Sequence, residues 1–264
     1  MSPRTLRLAL AAACLALTGC ATQPPATDLL PPHARLAVLQ LPPSVGDDDL
    51  RRVLHSQAKQ VPAGELAQDR EALQRQLAAS LRRALEQARV PMLRAADVIT
   101  LGPDPPMEVG QALSVAALAA LRARHPADAY LRIRLTDYGL TPKHWRSAYV
   151  GFEVLATLGI GALLYVHETT RPLAGLYLLQ EGVEEYSEGY AGWWLLNRLS
   201  RPVRIEADLV DGTDGRVLWQ DSETGLAGWR WGHLWHMDAA TRDALLQTAT
   251  DRMSDDLMVG LEGR

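Results

Sequence analysis

The stretch VRIEADLVDGTDGRVLWQD, Val203 to Asp221, sets the fold class. Val203, Ile205, Ala207 and Leu209 alternate with Arg204, Glu206 and Asp208, the period of a strand with one apolar face. Asp211-Gly212-Thr213-Asp214-Gly215 supplies turn residues that return the chain through Arg216-Val217-Leu218-Trp219, so an antiparallel hairpin is expected. Upstream, AYLRIRLTDY (Ala129 to Tyr138) repeats the alternation. Leu131, Ile133 and Leu135 share one face and Arg132, Arg134 and Thr136 the other, which predicts a strand buried on one side. RLAVLQL (Arg35 to Leu41) reads as a largely buried strand halted by Pro42 and Pro43. A further short strand is expected near Met92 to Ile99, before the turn-rich Gly102 to Pro106.

Between these strands the apolar period changes to that of a helix. From about Gly64 to Arg89, Leu66, Leu73, Leu77, Leu81 and Leu85 fall on one side, and Arg70, Arg75, Arg82 and Glu86 on the other. A second helix is expected from about Val109 to Arg124, stopping before Pro126. A last one starts at an Asp238 cap and runs to about Leu261, with Leu245, Ala249, Met253 and Leu257 as its stripe. Asp47, Asp48 and Asp49 would favour the amino-terminal dipole of a short helix within Asp47 to Lys59. The order is strand, helix, strand, helix, strand, insertion, hairpin, helix. It predicts an α+β fold, a mixed sheet with packed helices, as a single domain over residues 34–264 with a long apolar, helical insertion before the late β-hairpin.

That insertion covers residues 143–202. AYVGFEVLATLGIGALLYV, Ala148 to Val166, has Glu153 as its only charge and is long enough to cross a bilayer as a helix. Glu153 would cost a few kcal/mol near a helix centre. Gly151, Gly159 and Gly161 lower helix propensity. The expectation is therefore a helix or helix pair buried against the domain or at a subunit contact, with membrane contact or insertion as the alternative. Leu173 to Leu179 is again apolar. Gly189-Tyr190-Ala191-Gly192-Trp193-Trp194 joins small residues, which permit close helix approach, to a tryptophan pair suited to an interface; core packing explains it equally well.

At the amino terminus, Arg4 and Arg7 precede an apolar run, Leu8 to Leu17, too short to span a bilayer, and the run ends in Leu17-Thr18-Gly19-Cys20. These four residues resemble the bacterial lipoprotein processing site. The resemblance implies that residues 1–19 are a signal peptide and that Cys20 becomes the first residue, with diacylglycerol on its thiol and an acyl chain such as palmitate on its amino group. At about 0.8 kcal/mol per buried CH2, three chains make such an anchor effectively permanent. Ala21, where enterobacterial inner-membrane lipoproteins carry aspartate, implies sorting to the outer membrane, facing the periplasm. An ordinary secretory peptide cut near Ala21 is the alternative. Residues 20–33 hold Pro24, Pro25, Pro31 and Pro32 and read as an extended tether. The only other cysteine, Cys14, falls within the leader, so a mature chain would hold no disulfide.

Net charge is slightly negative, with 27 Lys and Arg against 31 Asp and Glu, and the basic residues are dispersed, which argues against a nucleic-acid partner. No catalytic, cofactor or metal site stands out. His233 and His236 have one-turn spacing and Asp238 follows, but a third and fourth metal ligand are not evident. Asp211 to Gly215 faintly resembles the start of a calcium loop, without its twelve-residue ligand pattern, and reads better as a turn. Glu184 and Glu185 are adjacent and fit a solvated face. There is no Gly-x-Ser-x-Gly elbow, phosphate loop or His-Glu-x-x-His helix. An enzyme is not expected. Trp229, Trp231 and Trp235 could stack on sugar rings, pack over a sheet edge or meet another subunit. With Trp193 and Trp194 they form the candidate interaction surface.

The succession of RLAVLQLPPS, a leucine-striped helix, HPADAYLRIRLTDYG and VRIEADLVDGTDGRVLW resembles envelope lipoproteins built on the fold shared by the TolB amino-terminal domain and the curli-secretion channel lipoprotein. Ala127-Asp128, Asp211, Gly215 and Trp219 carry the likeness. It implies a non-enzymatic envelope assembly or export accessory, held to the membrane by its lipid and working through contacts with envelope proteins or in a homo-oligomer. The alternatives are an oligomeric pore-forming export component and a peptidoglycan- or glycan-binding lipoprotein.

Overall fold

The computed structural model describes residues 24–55, 61–104, 106–166, 168–228 and 237–264, apart from the side chains at positions 172, 179, 181–186 and 188. In chain order the elements are β1 (Leu36–Gln40), α1 (Asp47–Leu54), α2 (Ala63–Gln87), one-turn α3 (Pro91–Arg94), β2 (Asp97–Thr100), α4 (Val115–Arg124) and β3 (Ala129–Tyr138). Then follow α5 (Lys143–Val166), α6 (Arg171–Leu199), β4 (Val203–Asp211), β5 (Val217–Gly225) and α7 (Ala239–Glu262). The protein is α+β, with helices packed on a mixed sheet and a long helical insertion before the late hairpin.

The five strands lie in the order β2-β1-β3-β4-β5. β1 pairs in parallel with β2 and β3, while β3–β4 and β4–β5 are antiparallel. The chain steps from β1 outward to β2 and then back past β1 to β3, so crossovers of one hand must lie on opposite faces of the sheet. α2 and α7 accordingly pack on the face presented by Val38, Leu131 and Ile205. α4 brings Leu118 and Leu121 to the other face, against Leu39, Tyr130 and Val210. The leucine stripe of α2 is buried where its period places it, and Asp238 caps α7 by accepting a hydrogen bond from the Thr241 amide at 2.7 Å.

Several local expectations are corrected. Met92 and Leu93 belong to a helical turn, because Pro91 suits the first position of a helix, and the strand starts only at Asp97. The helix expected from Val109 begins at Val115, where the Ser114 hydroxyl accepts from the Ala117 amide. α1 ends at Leu54; the rest of the helix expected there falls largely on 56–60, outside the described residues. β3 is covered on both faces, since α4 and the segment leading to it lie over Arg132 as well as Tyr130. The tether reading also needs revision from Pro24 onward. Ala26–Leu29 form a 3-10 turn, Ala26 is buried, and the Thr27 hydroxyl donates to Leu261 O at 3.2 Å, so this segment docks on the end of α7.

The turn between β4 and β5 is a structural one. Asp211 Oδ1 accepts from the Thr213 amide at 2.6 Å and from its hydroxyl, and these bonds hold the Asp211 carboxyl below the usual carboxylate range. Gly215 has φ +77, and a Cβ at Gly212 would lie 2.6 Å from Asp128 O. Asp128 in turn accepts the Arg35 amide at 2.8 Å. The residues that carry the lipoprotein likeness thus tie the hairpin turn to the start of β3.

This arrangement gives the sheet two distinct ends. The chain enters near the start of β1, which lies beside the start of β3, and Pro25 sits against Gly263 at the end of α7. The α5–α6 insertion leaves from the opposite end, after Tyr138, which pairs with Val203. That is the carboxyl end of the parallel strands, where open α/β sheets place their crevices.

Candidate interaction site

α5 and α6 pack on each other as an antiparallel helical hairpin. Glycine permits the approach at two levels. A Cβ at Gly161 would stand 2.8 Å from Leu178 Cδ2, and one at Gly189 3.0 Å from Tyr149 Cε1. Tyr149 meets Trp193 edge to face, with ring centroids 6.2 Å apart. At the outer end the Thr170 hydroxyl donates to Leu164 O at 2.7 Å, and Arg171 donates to Tyr165 O while lying over the Tyr165 ring.

The hairpin is not buried against the domain, which corrects the first expectation for 148–166. Along α5 the sole buried residue among those described is Gly161. Leu155 is 74 % exposed, Val166 73 % and Leu176 67 %, and Phe152, Leu163 and Leu173 also face outward. The physical reason is topological: the insertion leaves from a strand end, so the sheet offers it no face. α5 is long and apolar enough to cross a membrane by length and composition.

Polar contacts fasten the base. Asn197 Oδ1 accepts from the amide and hydroxyl of Thr141, Lys143 lies 3.9 Å from Asp49, and His144 contacts Arg204. The Ala227 amide donates to Ser200 O at 2.7 Å.

Between this base and α1 opens a cleft of about 770 Å³. Five arginines line it, Arg51 and Arg52 from α1, Arg146 from α5, Arg198 from α6, and Arg201 just beyond α6. Among the described residues Asp48 is the one carboxylate in its lining, and it lies 3.1 Å from Arg51. Tyr190, Trp193 and Trp194 supply an aromatic wall, with Arg198 over the Trp194 ring at 5.8 Å. Burial, followed by Arg242 and Arg198, pushes the Arg201 guanidinium down to about 10.

Of the candidate surface, Trp193 and Trp194 both line this cleft. Trp229, Trp231 and Trp235, with His233 and His236, lie outside the described residues, as does Cys20. Glu184 and Glu185 are on the backbone of α6, and their side chains are not described. The arginines were missed as a group because they are spread from position 51 to position 201; the Arg51-Arg52 pair and the Arg198/Arg201 pair were the available signal.

The chain matches no protein-family model and no curated protein. Among solved structures it is similar to the PelC dodecamer from Paraburkholderia phytofirmans, at 14 % identity over 89 % of this chain and 92 % of that chain, with a TM-score of 0.36. Protein XCC0632 from Xanthomonas campestris, of the DUF330 family, is similar at 14 % identity over 87 % and 86 %, TM-score 0.38. Lipoprotein GNA1162 from Neisseria meningitidis is similar at 12 % identity over 83 % and 99 %, TM-score 0.25. These likenesses are loose and carry no functional argument.

Proposed function

We propose that the protein is a non-enzymatic lipoprotein, anchored through Cys20 to the outer membrane and facing the periplasm, which serves as an envelope assembly or export accessory by contact through the α5–α6 hairpin. The observation that carries this reading is the uncovered apolar surface of the hairpin, from Phe152 and Leu155 to Leu173 and Leu176. Contiguous apolar surface of this kind marks a contact site. Its placement supports the reading. From Cys20 to Pro24 is four residues, a reach of about 14 Å, whereas ten-residue β3 is about 33 Å long. The lipid holds one end of the domain, and the base of the hairpin lies at the other, where copies of the chain associate through their hairpins. The resemblance of the sequence to the TolB amino-terminal domain and the curli-secretion lipoprotein accords with an accessory of this kind.

An oligomeric pore is the second reading. It is favoured by α5 itself, whose 24 residues extend about 36 Å, enough to cross the hydrocarbon core.

Sedimentation of the full-length Cys20→Ala chain without detergent tests the proposal, beside the same chain carrying Leu155→Gln, Leu163→Gln and Leu176→Gln. Discrete assemblies that dissociate on the triple change are expected. A monodisperse monomer in both forms would overturn contact through the hairpin, and vesicle flotation of the Cys20→Ala chain that is lost on the triple change would select the pore. Metabolic palmitate labelling that survives Cys20→Ala would overturn the anchor.

A further inference from the structure

We propose that the cleft between α1 and the base of the α5–α6 hairpin is a binding site for a phosphate oxyanion, carried on a group with an apolar face that rests against Tyr190, Trp193 and Trp194. This site is independent of what covers the hairpin's outer end.

Among the described residues, five guanidinium groups line the cleft and one carboxylate accompanies them. Each acid described nearby already has a cation beside it. Asp48 lies beside Arg51, Asp47 is held by Arg70, Asp49 is nearest Lys143, and Asp243 pairs with Arg242. Among the described residues no carboxylate lies within ion-pair distance of Arg52, Arg146 or Arg201. Holding Arg52, Arg146 and Arg201 close together with no described counter-charge is costly for the folded protein, and a bound oxyanion would offset that cost.

The second line is unmet hydrogen bonding. Arg51, Arg146 and Arg201 each keep a buried Nε–H without an acceptor among the described residues. Buried donors ordinarily find partners, and these three belong to arginines that line one cleft. Guanidinium forks match the oxygens of phosphate, which can accept from two arginines at once. Asn197 adds an amide, since its oxygen is occupied by Thr141 and its Nδ2 has no hydrogen-bond partner among the described residues.

Backbone strain at Arg201 is the third line. It sits past the end of α6 at φ +44, where its amide donates to Leu196 O. Glycine is the usual residue at that left-handed position of a helix end. An arginine there accepts strain that glycine would avoid, and what it gains is a guanidinium in the cleft, braced against Met237 Sδ at 3.1 Å.

Phosphate chemistry could come from a lipid headgroup or from a soluble phosphorylated molecule, and titrations on the full-length protein in non-ionic detergent separate them. Inorganic pyrophosphate and glycerol phosphate report the soluble source by calorimetry. Phosphatidylglycerol in mixed micelles, with phosphatidylcholine mixed micelles as the zwitterionic control, reports the lipid source by the same calorimetry. Saturable binding to at least one phosphate probe is expected, weakening with added salt and falling at least tenfold in Arg146→Gln/Arg201→Gln. Arg124→Gln, on α4 across the sheet, leaves binding unchanged. Should the double variant fail to fold, Arg52→Gln, exposed on α1, is expected to weaken binding severalfold with an unaltered melting temperature. No binding to any phosphate probe, equal binding by the cleft variants, or binding to polygalacturonate alone would each overturn the proposal.

Discussion

Arg132 and Asp208 face each other in register on β3 and β4 and close a two-bonded ion pair, Nε to Oδ1 at 2.8 Å and Nη2 to Oδ2 at 2.5 Å, with almost no exposure to solvent. Arg132 also donates to Gln111 O at 2.6 Å, and the Gly110 amide donates to Asp208 at 2.6 Å. The pair thereby fastens the segment before α4 onto the sheet. Removing one partner leaves a buried charge uncompensated, which costs about 3–5 kcal/mol, whereas replacing both by apolar residues restores much of it. Urea unfolding of Arg132→Met, Asp208→Leu and the double variant should show the double less destabilised than the sum of the singles.

That pair also marks where sequence reading and structure part. The alternation in Ala129 to Tyr138 and Val203 to Asp221 indicated the strands, the hairpin pairing of β4 with β5 and the apolar face of each strand, because the apolar period is a direct record of that face. The same alternation assigned Arg132 and Asp208 to solvent, since a buried ion pair and a solvated face have the same polarity pattern. Pro91 was ambiguous for a similar reason: proline ends one element and opens another, and only the packing of Met92 and Leu93 decides which. For the insertion, composition revealed the helices but not their exposure, which depends on leaving from a strand end. The cleft was hidden because α1, α5 and the end of α6 meet only in the folded chain.

Glu223 on β5 gives the stability a pH dependence. Burial, then Asp221 and Asp256, raises its carboxyl from 4.5 to about 6. Between those values the folded state holds a proton that the unfolded state releases, so stability is greatest below pH 4.5 and falls as pH rises to about 6. Glu223 is half-buried, and after screening the effect is at most about 1 kcal/mol. Denaturant titrations at pH 4.5, 6 and 7 should show this decline, and Glu223→Gln should remove it and stabilise the protein at pH 7.

Gly225 closes β5 where α7 crosses it. A Cβ there would stand 2.6 Å from the Met253 amide nitrogen, a main-chain atom within a helix that cannot turn aside. Gly225→Ala must displace α7 from the sheet, with an expected loss of about 3 kcal/mol or more. A fall in melting temperature of roughly 5 °C or more would be the measure, scaled for a domain of this size.

The two glycines of the hairpin should behave differently from each other and from Gly225. At Gly161 the obstructing atom is the end of Leu178, a flexible side chain, and alanine favours helix over glycine by about 1 kcal/mol, so Gly161→Ala is expected to be nearly neutral. At Gly189 the obstruction is the ring of Tyr149, itself held against Trp193, and Gly189→Leu must drive α5 and α6 apart. Neither glycine belongs to the clusters that pack on the sheet. Amide exchange should therefore quicken along α5 and α6 in Gly189→Leu while α2 and α7 keep their protection. Loss of protection across the whole domain would show that the hairpin is part of the core, contrary to its place beyond the end of the sheet.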